Sequence, residues 1–99
     1  MDWRIDWTAP SLDDLAHIVR TIAEDNKDAA VRVGDRIVDH VELLKKFPEI
    51  GPVFRRRVKS NIRLIVCRPF KIYYRVVREK SLVEILHVWH GARQDPIDL

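Results

Sequence analysis

The sequence predicts an α+β fold. It has an N-terminal strand, an antiparallel helix hairpin and a three-stranded antiparallel meander, with all strands in one sheet and both helices on one face. Three observations carry this expectation. Apolar residues recur at three- and four-residue steps up to about residue 46, then at two-residue steps after Pro52. The breaks between the later segments are short and polar, as hairpin connections are. Apolar residues make up 46% of the 99-residue chain and charged residues 33%, the balance of a domain that buries one core. Residues 1–99 read as a single domain, with 91–99 as a tail or short terminal extension.

Residues 2–7 alternate around Trp3, Ile5 and Trp7, which predicts a short strand. Thr8-Ala9-Pro10-Ser11 breaks it, and Ser11 with Asp14 has the spacing of a capping box for a helix from Leu12. Leu12, Leu15, Val19 and Ile22 lay one apolar stripe along that helix. Asp25, Asn26 and Asp28 end it and cap a second helix, expected over 28–46. In the second helix Ala30, Val33, Ile37, Val41 and Leu44 form the stripe, while Gly34 permits close packing against the first. Lys45 and Lys46 suit the negative pole of the helix dipole, and Phe47-Pro48-Glu49-Ile50-Gly51-Pro52 stops the helix.

Strands are expected over 62–67, 70–77 and 82–89, broken by Arg68-Pro69 and Glu79-Lys80-Ser81. The last carries apolar residues on both faces (Leu82-Val83, Ile85-Leu86), which places it centrally, with the N-terminal strand beside it.

Charge is distributed unevenly. Residues 1–49 hold 7 basic and 11 acidic side chains, whereas 50–78 hold 9 basic and no acidic ones. A localised positive field of this kind attracts nucleic acid or an acidic protein even at a net charge of +3. With the helices on one face, the other face is expected to present Arg63, Lys71, Tyr73 and Arg75, with His87 nearby. Arg55, Arg57 and Lys59 lie near the start of the meander, within reach of a phosphate backbone or an acidic partner. Tyr74 shares parity with Phe70, Ile72 and Val76 and is assigned to the core, leaving Tyr73 for the polar face.

Several chemistries are excluded. The lone cysteine, Cys67, rules out an intramolecular disulfide and a cysteine-rich metal site, and reads as a small buried hydrophobe in a reducing compartment. His87 and His90 are three apart and face opposite ways on a strand, and His17 and His40 lie on different helices, so no metal centre is expected. His90 is read as a turn hydrogen-bonder. No nucleotide-binding loop, nucleophilic triad or cofactor site is discernible. No apolar run approaches the 18 or so residues of a spanning helix, and the first seven residues do not read as a signal peptide.

The order of elements, with Ala29-Ala30, Phe47-Pro48-Glu49-Ile50-Gly51, Ile62-Arg63-Leu64-Ile65-Val66, Phe70-Lys71-Ile72-Tyr73-Tyr74-Arg75-Val76 and Ile85-Leu86-His87-Val88-Trp89-His90-Gly91-Ala92-Arg93, resembles the RelE/ParE toxin superfamily. The resemblance covers nearly the whole chain. It implies a cytoplasmic toxin of a plasmid-stabilisation type, neutralised by a cognate antitoxin and forming a homodimer or higher complex with it. Two targets are open: the ParE-like branch poisons DNA gyrase, and the RelE-like branch cleaves mRNA in the ribosome. No catalytic set is assigned with the favoured reading; for the cleaving branch the alternative set is Arg93, Lys71 and Arg63 holding the scissile phosphate, with His90 or His87 able in principle to serve as acid or base and the general base unassigned. Arg93 matches the arginine after the last strand, and Lys71 stands where a phosphate-contacting arginine is expected. Two lysines of the best-known cleaving members fall near Ile62 and Leu64 here, and their C-terminal tyrosine has no equivalent. These departures favour the ParE-like branch, acting by protein contact. A third reading is a degenerate member that only binds its antitoxin, as a co-repressor.

Overall fold

The computed structural model describes residues 2–54 and 61–92. Strand β1 (Arg4–Trp7) leads into helix α1 (Ala9–Ala23) and helix α2 (Lys27–Glu42), whose last turn tightens to 3-10 geometry at Leu43–Lys45. Strands β2 (Ile62–Cys67), β3 (Phe70–Val77) and β4 (Leu82–His90) follow, the last two joined by a 3-10 turn at Arg78–Lys80. The sheet order is β1-β4-β3-β2. β1 runs parallel to β4 and the other pairs are antiparallel, so the last strand is central as expected.

Helix α1 begins earlier than the sequence suggests. Thr8, not Ser11, is its cap: the Thr8 Oγ1 accepts the Ser11 N–H at 3.4 Å, and Pro10 sits in the first turn, where a missing N–H costs nothing. Ser11 is buried, its hydroxyl donating to the Thr8 carbonyl at 2.8 Å. The small serine fits where the helix leaves the sheet, and Leu12 turns out to solvent. The core-facing stripe of α1 therefore runs through the partly buried Leu15, Ile18 and Ile22 rather than from Leu12. Val19 faces the other helix, where a Cβ on Gly34 would lie 3.3 Å from its Cγ2; this is the close packing expected of Gly34. Asn26 caps α2 by accepting the Ala29 N–H at 2.9 Å.

The main core lies between the helices and one sheet face. Ile37, Val41 and Leu44 of the α2 side meet Cys67, Phe70, Ile72, Tyr74, Val76, Val83, Ile85 and Val88. Trp3, Ile5 and Trp7 pack against its margin. A second cluster of Phe54, Ile62 and Tyr73, flanked by Leu64, Leu86 and Trp89, forms on the opposite face. That face is thus covered in part by the segment before β2, which the sequence reading did not anticipate.

A register shift between Tyr73 and Tyr74 inserts Leu86 as the extra residue of β4. It keeps Ile85 and Val88 on the helix face while Leu86 joins the second cluster. This is the physical basis of the double-sided apolar pattern in the last strand.

Candidate interaction surface

Directly opposed residues in antiparallel strands share a face. The face away from the helices is therefore built in rows across β2, β3 and β4: Val66–Lys71–Trp89, Leu64–Tyr73–His87 and Ile62–Arg75–Glu84. Lys71 and Arg75 lie here as expected, both half-buried. The Arg75 Nε stands 3.3 Å from Glu84 Oε1, so this cation is partly neutralised across the strand pair.

Two residues assigned to this face behave differently. Tyr73 is on it but only 1% exposed, beneath Phe54, whose ring meets it edge-on at 5.5 Å between centroids. It is a packing residue, because the chain before β2 folds back over it and forms a bridge from Val53 to Arg63. Arg63 is opposite Tyr74 and so belongs to the helix face. Its guanidinium donates to the Gly51 carbonyl at 2.7 Å and the Glu49 carbonyl at 3.3 Å, and lies 3.5 Å from the Glu49 carboxylate. Arg63 clamps the turn after the helix pair. Arg78 holds the same carboxylate at 2.7 Å, and that hydrogen bond keeps Glu49 below the usual carboxylate range.

Tyr74 is fully buried, as assigned, and its hydroxyl accepts the Gly51 N–H at 2.9 Å. Burial pushes this phenol above its ordinary 10.0, with the Gly51 hydrogen bond in partial offset. A Cβ on Gly51 would lie 2.6 Å from the Leu64 carbonyl and 2.8 Å from the Tyr74 hydroxyl, so only glycine fits this turn.

His87 and His90 do face opposite ways, opposite Tyr73 and Phe70 respectively. His90 is exposed and its Nδ1 accepts the Ala92 N–H at 3.0 Å, a turn bond of the kind expected. His87 has a partner that the sequence reading missed. Its Nδ1 is 2.8 Å from Asp14 Oδ2 on α1, and the same oxygen accepts the Val88 N–H at 3.1 Å. β1 ends opposite Ile85, leaving the edge of β4 open beyond it. Thr8 covers the first open carbonyl, its hydroxyl donating to Ile85 at 2.7 Å, and Asp14 covers the next N–H. The capping-box spacing of Asp14 masked this role.

Arg55, Arg57, Lys59 and Arg93 lie outside the described residues. Among the described residues no group of three or more His, Cys, Asp or Glu side chains stands close enough to hold a metal ion, and no helix is long and apolar enough to cross a membrane.

The described surface thus presents Lys71, Arg75, His87 and Trp89 around a small apolar cluster on the outer face of a four-stranded sheet. The sequence profile of the ParE toxin of type II toxin–antitoxin systems matches residues 5–95. The chain belongs to this family, within the RelE/ParE superfamily, and is a toxin component of a type II toxin–antitoxin system. A protein of Sinorhizobium fredii (strain NBRC 101917 / NGR234) named "Putative toxin Y4kP" is 39% identical over 94 residues, spanning 94% of this chain and 93% of that one. The fold is also that of solved toxins. A chain of the P. aeruginosa chromosomal ParDE system matches with a TM-score of 0.74 at 21% identity, over 89% of this chain and 95% of that one. A chain of the RelBE2 toxin–antitoxin complex from Mycobacterium tuberculosis matches with a TM-score of 0.72 at 20% identity, over 91% and 99%.

Proposed function

We propose that this chain is neutralised by a cognate antitoxin and, when free, inhibits DNA gyrase by protein contact, with no chemistry of its own. The observation that carries this reading is the second cluster. Ile62, fully buried, and Leu64 occupy the positions where the resemblance expects the proton-transfer lysines of cleaving members, and Tyr73 beside them is sealed under Phe54. An apolar, water-excluding patch stabilises neither developing phosphate charge nor a proton in flight. The match to the ParE profile supports the same branch. Lys71 and Arg75, with Arg55, Arg57, Lys59 and Arg93, supply the positive field that draws an acidic protein surface or gyrase-bound DNA.

One observation favours the second reading, a ribosome-dependent mRNA endoribonuclease. Asp14 orients the His87 imidazole, and His87 shares its face with Lys71, an arrangement that suits general-base assistance beside a phosphate contact. Brief induction of the chain alone, with DNA breaks, plasmid supercoiling and ribosome-bound mRNA read in parallel, separates the two. Trapped DNA breaks with intact mRNA support gyrase. Site-specific mRNA cleavage with normal supercoiling overturns that target. A folded chain that arrests nothing leaves the antitoxin-binding co-repressor.

A further inference from the structure

The side of the helix hairpin away from the sheet carries an apolar stripe that the core does not use. Gly34 faces α1, where a Cβ on it would lie 3.3 Å from Val19 Cγ2. Val31 and Val38, three residues before it and four after, continue the same stripe of α2 but turn to solvent, 62% and 37% exposed. On α1, Leu12 and Ala16 extend the Val19 stripe, and both are exposed, Leu12 at 50%. The α2 stripe ends on Lys27, the first residue of the helix, and Glu42, the last, both exposed. Each charge has the wrong sign for its position, because a helix is positive at its start and negative at its end. Glu42 has a local offset in Lys45 at 2.6 Å. The dipole of α2 nevertheless disfavours both end charges, so its own stability does not account for this arrangement.

We infer that this stripe receives a second copy of the chain, α2 against α2 in antiparallel orientation, about a two-fold axis at the Gly34–Asp35 peptide. Residues equally far from that axis then meet. Val31 packs on Val38 of the second copy, Lys27 pairs with Glu42 of the second copy, and the symmetry makes each contact twice. A carboxylate has two oxygens, so Glu42 serves Lys27 of the second copy as well as its own Lys45. The positive pole of each helix also lies beside the negative pole of the other. Asp35 falls opposite Gly34 of the second copy, where no side chain crowds it. Charge selects this occupant and this register. Lys27 and Glu42 are about 22 Å apart along the helix, so a partner of one sign is attracted at one end and repelled at the other. A parallel copy would set Lys27 on Lys27 and Glu42 on Glu42, and a shift of one turn would bring Asp35 onto Val31 or Val38. The contact is smaller than a permanent interface, which makes the dimer a dissociable one with a Kd on the order of 10–100 μM. It leaves the outer sheet face of each copy, with Lys71 and Arg75, pointing away from the other.

The test uses the full purified chain, followed by sedimentation velocity from about 1 μM to about 1 mM. The parent should pass from monomer to dimer over this range. Val31→Glu, at an exposed position, should raise the Kd about tenfold or more while its amide spectrum remains that of a folded chain. Lys27→Glu sets acid against acid and Glu42→Lys sets base against base, so each alone should weaken self-association about tenfold. An equimolar mixture of these two variants restores both charge pairs between unlike copies, and should dimerise about tenfold more tightly than either variant alone. No contact within one chain can produce that rescue, because the two positions lie at opposite ends of α2. A parent that stays monomeric throughout overturns the inference. So does a dimer indifferent to Val31→Glu, or a mixture no tighter than its components. None of these readouts involves gyrase or an antitoxin, so the outcome is independent of the proposed target.

Discussion

The Asp14 carboxylate joins two elements 73 residues apart, holding the His87 ring at 2.8 Å and the Val88 backbone N–H at 3.1 Å with one oxygen. Both groups lie where β4 continues past the end of its neighbour β1, so the carboxylate substitutes for a missing strand. Asp14→Ala leaves a part-buried N–H and an imidazole without their partner. The expected loss is about 1–2 kcal/mol of stability, read as a lower urea midpoint at an unchanged slope. A cycle with His87→Ala should show coupling of about 0.5 kcal/mol or more. Additive effects would show that the pair is not an interacting unit.

Gly51 is required for space rather than for backbone conformation. A methyl group there meets the Leu64 carbonyl at 2.6 Å, and a strand backbone cannot yield as a flexible side chain can. Gly51→Ala should cost about 1–3 kcal/mol and shift the amide resonances of Val53, Phe54 and Leu64. A variant as stable as the parent would contradict the packing of this turn.

Tyr74→Phe tests the same turn from the other side. The buried Gly51 N–H loses its acceptor, at a cost of about 1–3 kcal/mol. The pH dependence has a definite sign. Because burial raises the Tyr74 phenol in the folded chain, its favourable contribution is complete below 10.0 and is lost as pH rises from there through the folded value. Thermal melts across the alkaline range should show this decline in the parent and a shallower one in Tyr74→Phe.

Much of this fold was legible from period alone. The α2 stripe of Ala30, Val33, Ile37, Val41 and Leu44 faces the core as read, because every fourth residue of a regular helix returns to one face. The strand positions and the central place of β4 followed in the same way. The candidate surface was less legible. Tyr73 was given to solvent because alternation assigns a face but not what folds over it, and Phe54 lies outside any regular element. Arg63 was placed on the wrong face because the alternation was not phased against Ile65 and Cys67, which share its side. The Asp14–His87 contact had no local signal: it depends on where β1 stops.

Arg63 and Lys71 should therefore separate stability from inhibition. Arg63→Ala releases the Gly51 and Glu49 carbonyls and should lower stability by about 1–2 kcal/mol. Lys71→Glu reverses a charge on the outer face and should reduce gyrase inhibition about tenfold or more per folded molecule. Equal effects of the two on inhibition, after matching for folded protein, would place the contact elsewhere.

The most direct measurement combines the purified, folded chain with DNA gyrase, relaxed plasmid and ATP, and in parallel with translating ribosomes. The account predicts that supercoiling stops and that cleaved plasmid accumulates after protein denaturation, while ribosome-bound mRNA remains intact. Full supercoiling together with site-specific mRNA cleavage would contradict it.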